Sequence, residues 1–77
     1  PTEYRLLAYM ASNANRVLMH RELLRAVWGP EYGEETEYLR VYMRYLRQKL
    51  EPEPSKPQYL LTQPAAGYML HQPEEDR

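Results

Sequence analysis

Proline divides this chain into a few segments that can be helical. Pro30 directly follows Gly29, and Pro52, Pro54 and Pro57 crowd the stretch EPEPSKP at residues 51–57. Each proline fixes φ and removes an N–H donor, and each disfavours the helical conformation for the residue before it. Helices must therefore fit ahead of Gly29-Pro30 or between it and Glu51. Ahead of it, Thr2 is a candidate N-cap and Glu3 suits the positive end of the helix dipole. Tyr4, Leu7, Ala8 and Ala11 follow the spacing of a buried helix face. SNAN at residues 12–15 ends that helix, since Asn tolerates the left-handed conformation of a helix terminus. RVLM at residues 16–19 is long enough only for a small strand or connector. A second helix covers roughly Arg21 to Trp28, with Leu23, Leu24 and Val27 inward, and Gly29-Pro30 ends it. Thr36 can cap a third and longest helix, running to about Leu50.

Beyond the proline cluster, QYLLT and YMLH read as two strands of a hairpin around QPAAG, where Gly67 is expected to supply the permissive backbone. The order is helix, short strand, helix, loop, helix, hairpin. The fold class is mainly α with a small β-hairpin (α+β). Residues 1–73 form one domain, and residues 74–77 are a polar tail expected to fray. The chain opens at Pro1, already inside a helix signal, and reads as a piece of a longer protein.

Composition narrows the function. In 77 residues, 43% hydrophobic and 27% charged, there is material for one thin core. No cysteine is present, which excludes disulfides and thiolate metal sites, and His20 and His71 lack ligand spacing. No apolar run approaches a membrane span and no signal peptide is evident, so a cytoplasmic setting is expected. Glu34 and Glu35 are adjacent carboxylates, but no partner base, nucleophile or glycine-rich loop accompanies them. No enzyme activity and no cofactor are expected.

The informative segment is ETEYLRVYMRYLRQKL, residues 35–50. Advanced by about 100° per residue, Leu39, Leu46 and Leu50 cluster on a core side flanked by Tyr42 and Met43. The opposite side carries Val41, Arg44, Tyr45 and Gln48, with Tyr38, Arg40 and Arg47 at its margins. From Tyr38 to Lys49 there are four basic residues and no acidic one, although the whole chain has a net charge of −1. An ordinary solvated face accounts for the arginines but not for Val41 and Tyr45 among them. A helix in a DNA major groove accounts for both, because arginine can donate twice to guanine and an apolar group can meet a thymine methyl. Helix, turn, helix and hairpin is also a DNA-binding order. Tyr38, Val41, Arg44, Tyr45 and Gln48 are the candidates for base edges, and Arg40, Arg47 and Lys49 for phosphates. Trp28 is first a core residue, with an indole N–H that could reach a phosphate. His20 and Arg21 stand at a helix start that can receive a phosphate, or are plain surface. PSKP is a stiff connector before it is a PxxP ligand.

TEYRLL at the opening, RELL-x-x-VWG in the second helix, LRQKL at the end of the third and GY near the hairpin end recur in one order. On these residues the chain resembles the winged-helix effector domains of OmpR/PhoB-type response regulators, and the match covers nearly its whole length. Within that family, the stretch from Trp28 to Tyr68 is most similar to the regulators of potassium-transport operons. The resemblance implies a winged helix-turn-helix and sequence-specific DNA binding in a two-component system, in head-to-tail pairs on promoter direct repeats. It implies that Glu37 to Leu50 is the recognition helix and that Trp28 to Thr36 is the loop touching RNA polymerase. The turn from Gln63 to Gly67 would be the wing, with Thr62 and Gln63 near DNA and Tyr68 reaching its backbone. A small N-terminal sheet and a receiver domain, addressed by a sensor kinase, would precede Pro1. Three positions depart from the pattern. Met19 replaces a Ser or Thr helix cap, Pro64 stands where many members place a wing arginine, and Met69 replaces the arginine after Gly-Tyr. The alternative is a winged-helix protein-interaction module without DNA binding; a basic stripe along the third helix would favour DNA, and a mixed-sign surface the alternative.

Overall fold

The computed structural model describes residues 1–73; the expected polar tail at residues 74–77 lies outside them. The elements are α1 (Thr2–Ser12), β1 (Leu18–Met19), α2 (His20–Val27), α3 (Thr36–Leu50), β2 (Leu60–Gln63) and β3 (Gly67–Leu70). The two C-terminal strands form the expected antiparallel hairpin, with Leu60 opposite Leu70 and Gln63 opposite Gly67. β1 joins the other side of β3, Leu18 facing Tyr68 and Met19 facing Gly67, so the sheet order is β1-β3-β2. Among the described residues, no helix is long and apolar enough to cross a membrane.

The core lies between the three helices and the inner face of this sheet. Leu6 and Met10 of α1, Leu18, Leu23, Leu24 and Val27, Leu39, Met43 and Leu46 of α3, Leu60 and Tyr68 are buried in it. The inward face of α2 is the one expected. That of α1 is so only in part: Leu7 packs against the core and Ala8 is half-buried, but Tyr4 is 74% exposed and Ala11 is exposed, while Leu6 and Met10 are fully buried. Two apolar stripes coexist on this helix, and the structure turns Leu6 and Met10 fully inward, because burial free energy scales with apolar area and the alanines of the other stripe bring little. Tyr9 then donates a 2.7 Å hydrogen bond to Glu22, tying α1 to α2.

The helix ends also differ from expectation. Thr2 and Thr36 lie inside their helices, and Pro1 and Glu35 occupy the cap positions without a side-chain cap bond. Glu35 instead turns back, its Oε1 accepting from the N–H groups of Gly33 and Glu34 at 3.0 Å each, and so folds the acidic loop against itself. Met19 caps α2 with no side-chain bond, but the His20 N–H donates to Ala66 O at 3.3 Å. The hairpin turn thereby satisfies one of the free N–H donors of the helix start, though not the next ones along, which a Ser or Thr cap would take. The left-handed residue after α1 is Asn15, at φ 66°, two residues beyond the helix cap at Asn13.

Gly67 has a different task from the one expected. The left-handed residue of the hairpin turn is Ala65, at φ 64°. At Gly67 a Cβ would stand 1.9 Å from the Leu18 carbonyl oxygen, so glycine is there to let β1 approach β3.

Candidate nucleic-acid interface

α3 is pinned by Leu39, Met43 and Leu46, which fixes what its other faces present. Leu50, expected in the core, is 46% exposed, because the last turn of the helix overhangs the core. Toward the sheet, α3 and Tyr68 border a cleft of about 300 Å³ lined by Glu37, Arg40, Val41, Met43, Arg44, Arg47 and Tyr68. Among the described residues, three arginines thus converge on it with one acid. Glu37 reaches Arg40 at 3.3 Å, and both side chains are largely exposed, so the pair is weak and screened. Sequence reading counted the basic stretch from Tyr38 onward and so missed this contact, although the i, i+3 spacing was a signal for it. Arg44 is exposed and makes no hydrogen bond or ion pair among the described residues.

Arg47 does more than line the cleft. Its Nε and Nη2 donate to Leu60 O at 3.0 and 2.8 Å, and Nη2 also donates to Thr62 Oγ1 at 2.8 Å. The arginine expected only to hold a phosphate is therefore joined first to the hairpin. Tyr68, expected to reach the DNA backbone, is 5% exposed, so most of its ring serves the core and only its edge opens on the cleft. Burial pushes its phenol up, offset in part by Arg47 and Arg40.

The remaining candidates separate by face. Val41 is half-buried, and Gln48 and Tyr45 are exposed along the outer side of α3. Tyr45 stacks edge-on against Tyr42 with ring centres 5.7 Å apart. Tyr38 is partly exposed and leans on Trp28 at 5.6 Å, and Trp28 in turn meets Tyr42 at 5.6 Å. Trp28 is half-buried and packs on the core beneath Tyr38 and Tyr42. Lys49 is not brought to the cleft. It pairs with Glu3 of α1 at 2.7 Å, on the far side of the helix from Arg47. In the hairpin, Thr62 is exposed, Gln63 is half-buried with its carbonyl accepting from Ala66, and Pro64 is exposed at the turn.

Sequence reading also missed Glu51. It is the first residue after α3 and is only 6% exposed, and its carboxylate accepts three backbone N–H bonds, from Gln58, Tyr59 and Leu60. Its burial would raise the carboxyl, yet those three bonds, with Arg47 nearby, hold it below its ordinary value. Nothing in EPEPSKP announces this, because the proline connector separates the acid from its donors.

A family model described as "Transcriptional regulatory protein, C terminal" matches residues 1–70. The KDP operon transcriptional regulatory protein KdpE of Escherichia coli is 50% identical over 68 residues, covering 88% of this chain and 30% of that protein. The transcriptional regulatory protein KdpE of Mycobacterium tuberculosis is likewise 50% identical over 68 residues, with 88% and 30% covered. The chain thus spans 30% of the length of these curated relatives. Among solved structures, the crystal structure of the Klebsiella pneumoniae RstA DNA-binding domain in complex with the RstA box superposes with a TM-score of 0.81. It is 23% identical, with 91% of this chain and 69% of that one covered, a likeness of fold.

Proposed function

The chain belongs to the family of C-terminal domains of transcriptional regulatory proteins, and from that premise we propose that it binds double-stranded DNA sequence-specifically as the output domain of a two-component response regulator. The observation that carries the reading is the arginine face of α3 beside the hairpin: Arg40, Arg44 and Arg47 converge on one cleft with Glu37 as its only acid among the described residues. This is the basic stripe that favours DNA over the protein-interaction alternative. A helix of this kind fits the major groove, which is about 12 Å wide. Arg44 then meets base edges along with Val41, Gln48 and Tyr45, and Tyr38 lies at the margin. Arg40 and the free edge of Arg47 meet phosphates, which position the helix but carry no sequence information.

The finer assignments rest on resemblance. They are head-to-tail pairs on direct repeats, RNA polymerase at Trp28 to Thr36, a sensor kinase acting through a receiver domain, a cytoplasmic site of action, and control of potassium-transport genes. The 50% identity to proteins called KdpE supports the last. The domain is read as a regulator and not as a catalyst.

Selection of bound sites from a pool of random duplexes, followed by salt titration on the winner and on a scrambled duplex, tests the reading. A defined motif should emerge, and log affinity should fall with log salt by about 0.9 per phosphate contact. Failure to enrich any motif, together with a flat salt response, would leave the interaction-module reading in its place.

A further inference from the structure

We propose that Glu51, acting with Arg47, is a positioning residue for DNA binding: the two side chains form a strut that holds the outer wing strand to the recognition helix, so that the cleft arginines and the wing meet the duplex as one surface. The proposal rests on the DNA-binding reading above.

β2 is an edge strand of the sheet, with β3 on one side and, among the described residues, no strand on the other. Such an edge presents backbone N–H and C=O groups without partners. Here the helix supplies them. Glu51 Oε2 accepts from Leu60 N at 2.7 Å and from Tyr59 N at 3.0 Å, and Oε1 accepts from Gln58 N at 2.8 Å. One turn earlier on α3, Arg47 donates twice to Leu60 O and once to Thr62 Oγ1. Both backbone polar groups of Leu60, a fully buried residue, are therefore held by side chains of one helix end. Charge-assisted and forked bonds of this kind fix geometry as well as distance.

The strut uses three N–H groups of Arg47. Nη1 makes no bond among the described residues, and the residue lines the cleft, so two further donors stay available to a phosphate. Holding that edge in place before DNA arrives removes an ordering cost from binding. Glu51 is buried and lines no part of the cleft, so its effect on DNA must pass through Arg47 and β2.

Glu51→Gln and Arg47→Lys test this in the 77-residue chain. Glutamine sets an NH₂ against backbone N–H donors. Lysine keeps the positive charge but cannot form the fork. Affinity for the selected duplex should fall at least about tenfold in each variant, with a shallower salt slope, at a temperature where circular dichroism shows both folded. If Arg47 were only a phosphate cation, Arg47→Lys would bind within about twofold of wild type, and that result overturns the proposal. Unfolding of both variants at the assay temperature would assign the pair to stability alone and also overturn it. If the wild-type chain shows no salt-dependent binding, the DNA reading itself has failed. The strut is then judged on amide exchange: faster exchange at Leu60 in Glu51→Gln supports it, and unchanged exchange removes it.

Discussion

Replacing Gly67 by alanine would strike the joint between the wing and the rest of the sheet. The new Cβ would lie 1.9 Å from the Leu18 carbonyl oxygen, 2.8 Å from its carbon and 2.9 Å from the Met19 Cα, all backbone atoms that cannot swing aside. Real Cβ contacts of this kind begin near 3.0 Å, so β1 and β3 must part by more than about an ångström. That separation breaks the pairing of Leu18 with Tyr68 and Met19 with Gly67, and loosens the His20 N–H bond to Ala66 O that serves α2. Two or three net hydrogen bonds at about 0.5–1.5 kcal/mol each, partly relieved by backbone shifts, give a destabilisation of about 2–4 kcal/mol. A chain of this size has roughly 4–11 kcal/mol in all, so the loss is a large fraction. Each kcal/mol should lower Tm by about 4–8 °C, which calls for a drop on the order of 10–25 °C in a thermal melt followed by circular dichroism. Ala65→Gly is the matched control. It relieves a left-handed alanine at φ 64° and should be neutral or stabilising by up to about 1 kcal/mol. A Gly67→Ala variant melting within about 2 °C of wild type would refute the close-approach account and return Gly67 to the role of an ordinary turn glycine.

Arg44→Ala should cost about 1–3 kcal/mol of discrimination at the base it faces, seen as flattened preferences at one or two positions when site selection is repeated. Pro64→Ala should leave those preferences in place, whereas Pro64→Arg should tighten binding to all duplexes and add a taste for narrow, A·T-rich minor grooves, measurable by affinity on matched A-tract and mixed flanks. Stability should decline on acidification. Glu51 is held below its ordinary carboxyl value in the fold, so its contribution is present above the unfolded value near about 4.3 and is lost as pH falls through the lower folded value. Urea melts from pH 6 down to about pH 3 should therefore show an acid limb that Glu51→Gln flattens.

How much of this could be read from the chain depended on whether a feature was local. Gly29-Pro30 and the three connector prolines marked where helices must stop, and Leu23, Leu24 and Val27 left α2 only one apolar face to bury. On α1 the sequence carries two stripes a residue or two apart, and which one turns inward is decided by the volume waiting in the core, a tertiary quantity that helical periodicity does not contain. Leu50 fits the core stripe of α3 by angle, yet the core stops a turn short of it. The site divides in the same way. The spacing of Arg40, Arg44 and Arg47 was sufficient to find the helix face, but not to show that Arg47 reaches across to Leu60 and Thr62 while Lys49 turns away to Glu3. Those partners lie 13, 15 and 46 residues distant along the chain.

A chain with a net charge of −1 can still present a basic surface, because the fold sorts its acids. Glu51 is buried and met by backbone N–H groups. Glu3 is paired with Lys49 and Glu22 with Arg16, on other faces. Glu31, Glu34 and Glu35 gather around Arg21 and Arg25 on the loop before α3, and none of them lines the cleft. At physiological salt, exposed charges separated by more than about 8 Å are largely screened. An approaching phosphate therefore responds to the side chains it nears and not to the sum over the chain. Among the described residues beside α3 those are Arg40, Arg44 and the open edge of Arg47, against Glu37 alone, and Glu37 itself is close enough to Arg40 to be exchanged for a phosphate when the duplex arrives. Removing that one acid gives the argument its sharpest consequence. Glu37→Gln should strengthen binding to operator and random duplexes alike, with the largest gain at low salt. Equal affinity for the variant and the wild type at every salt concentration would show that Arg40 does not face the duplex.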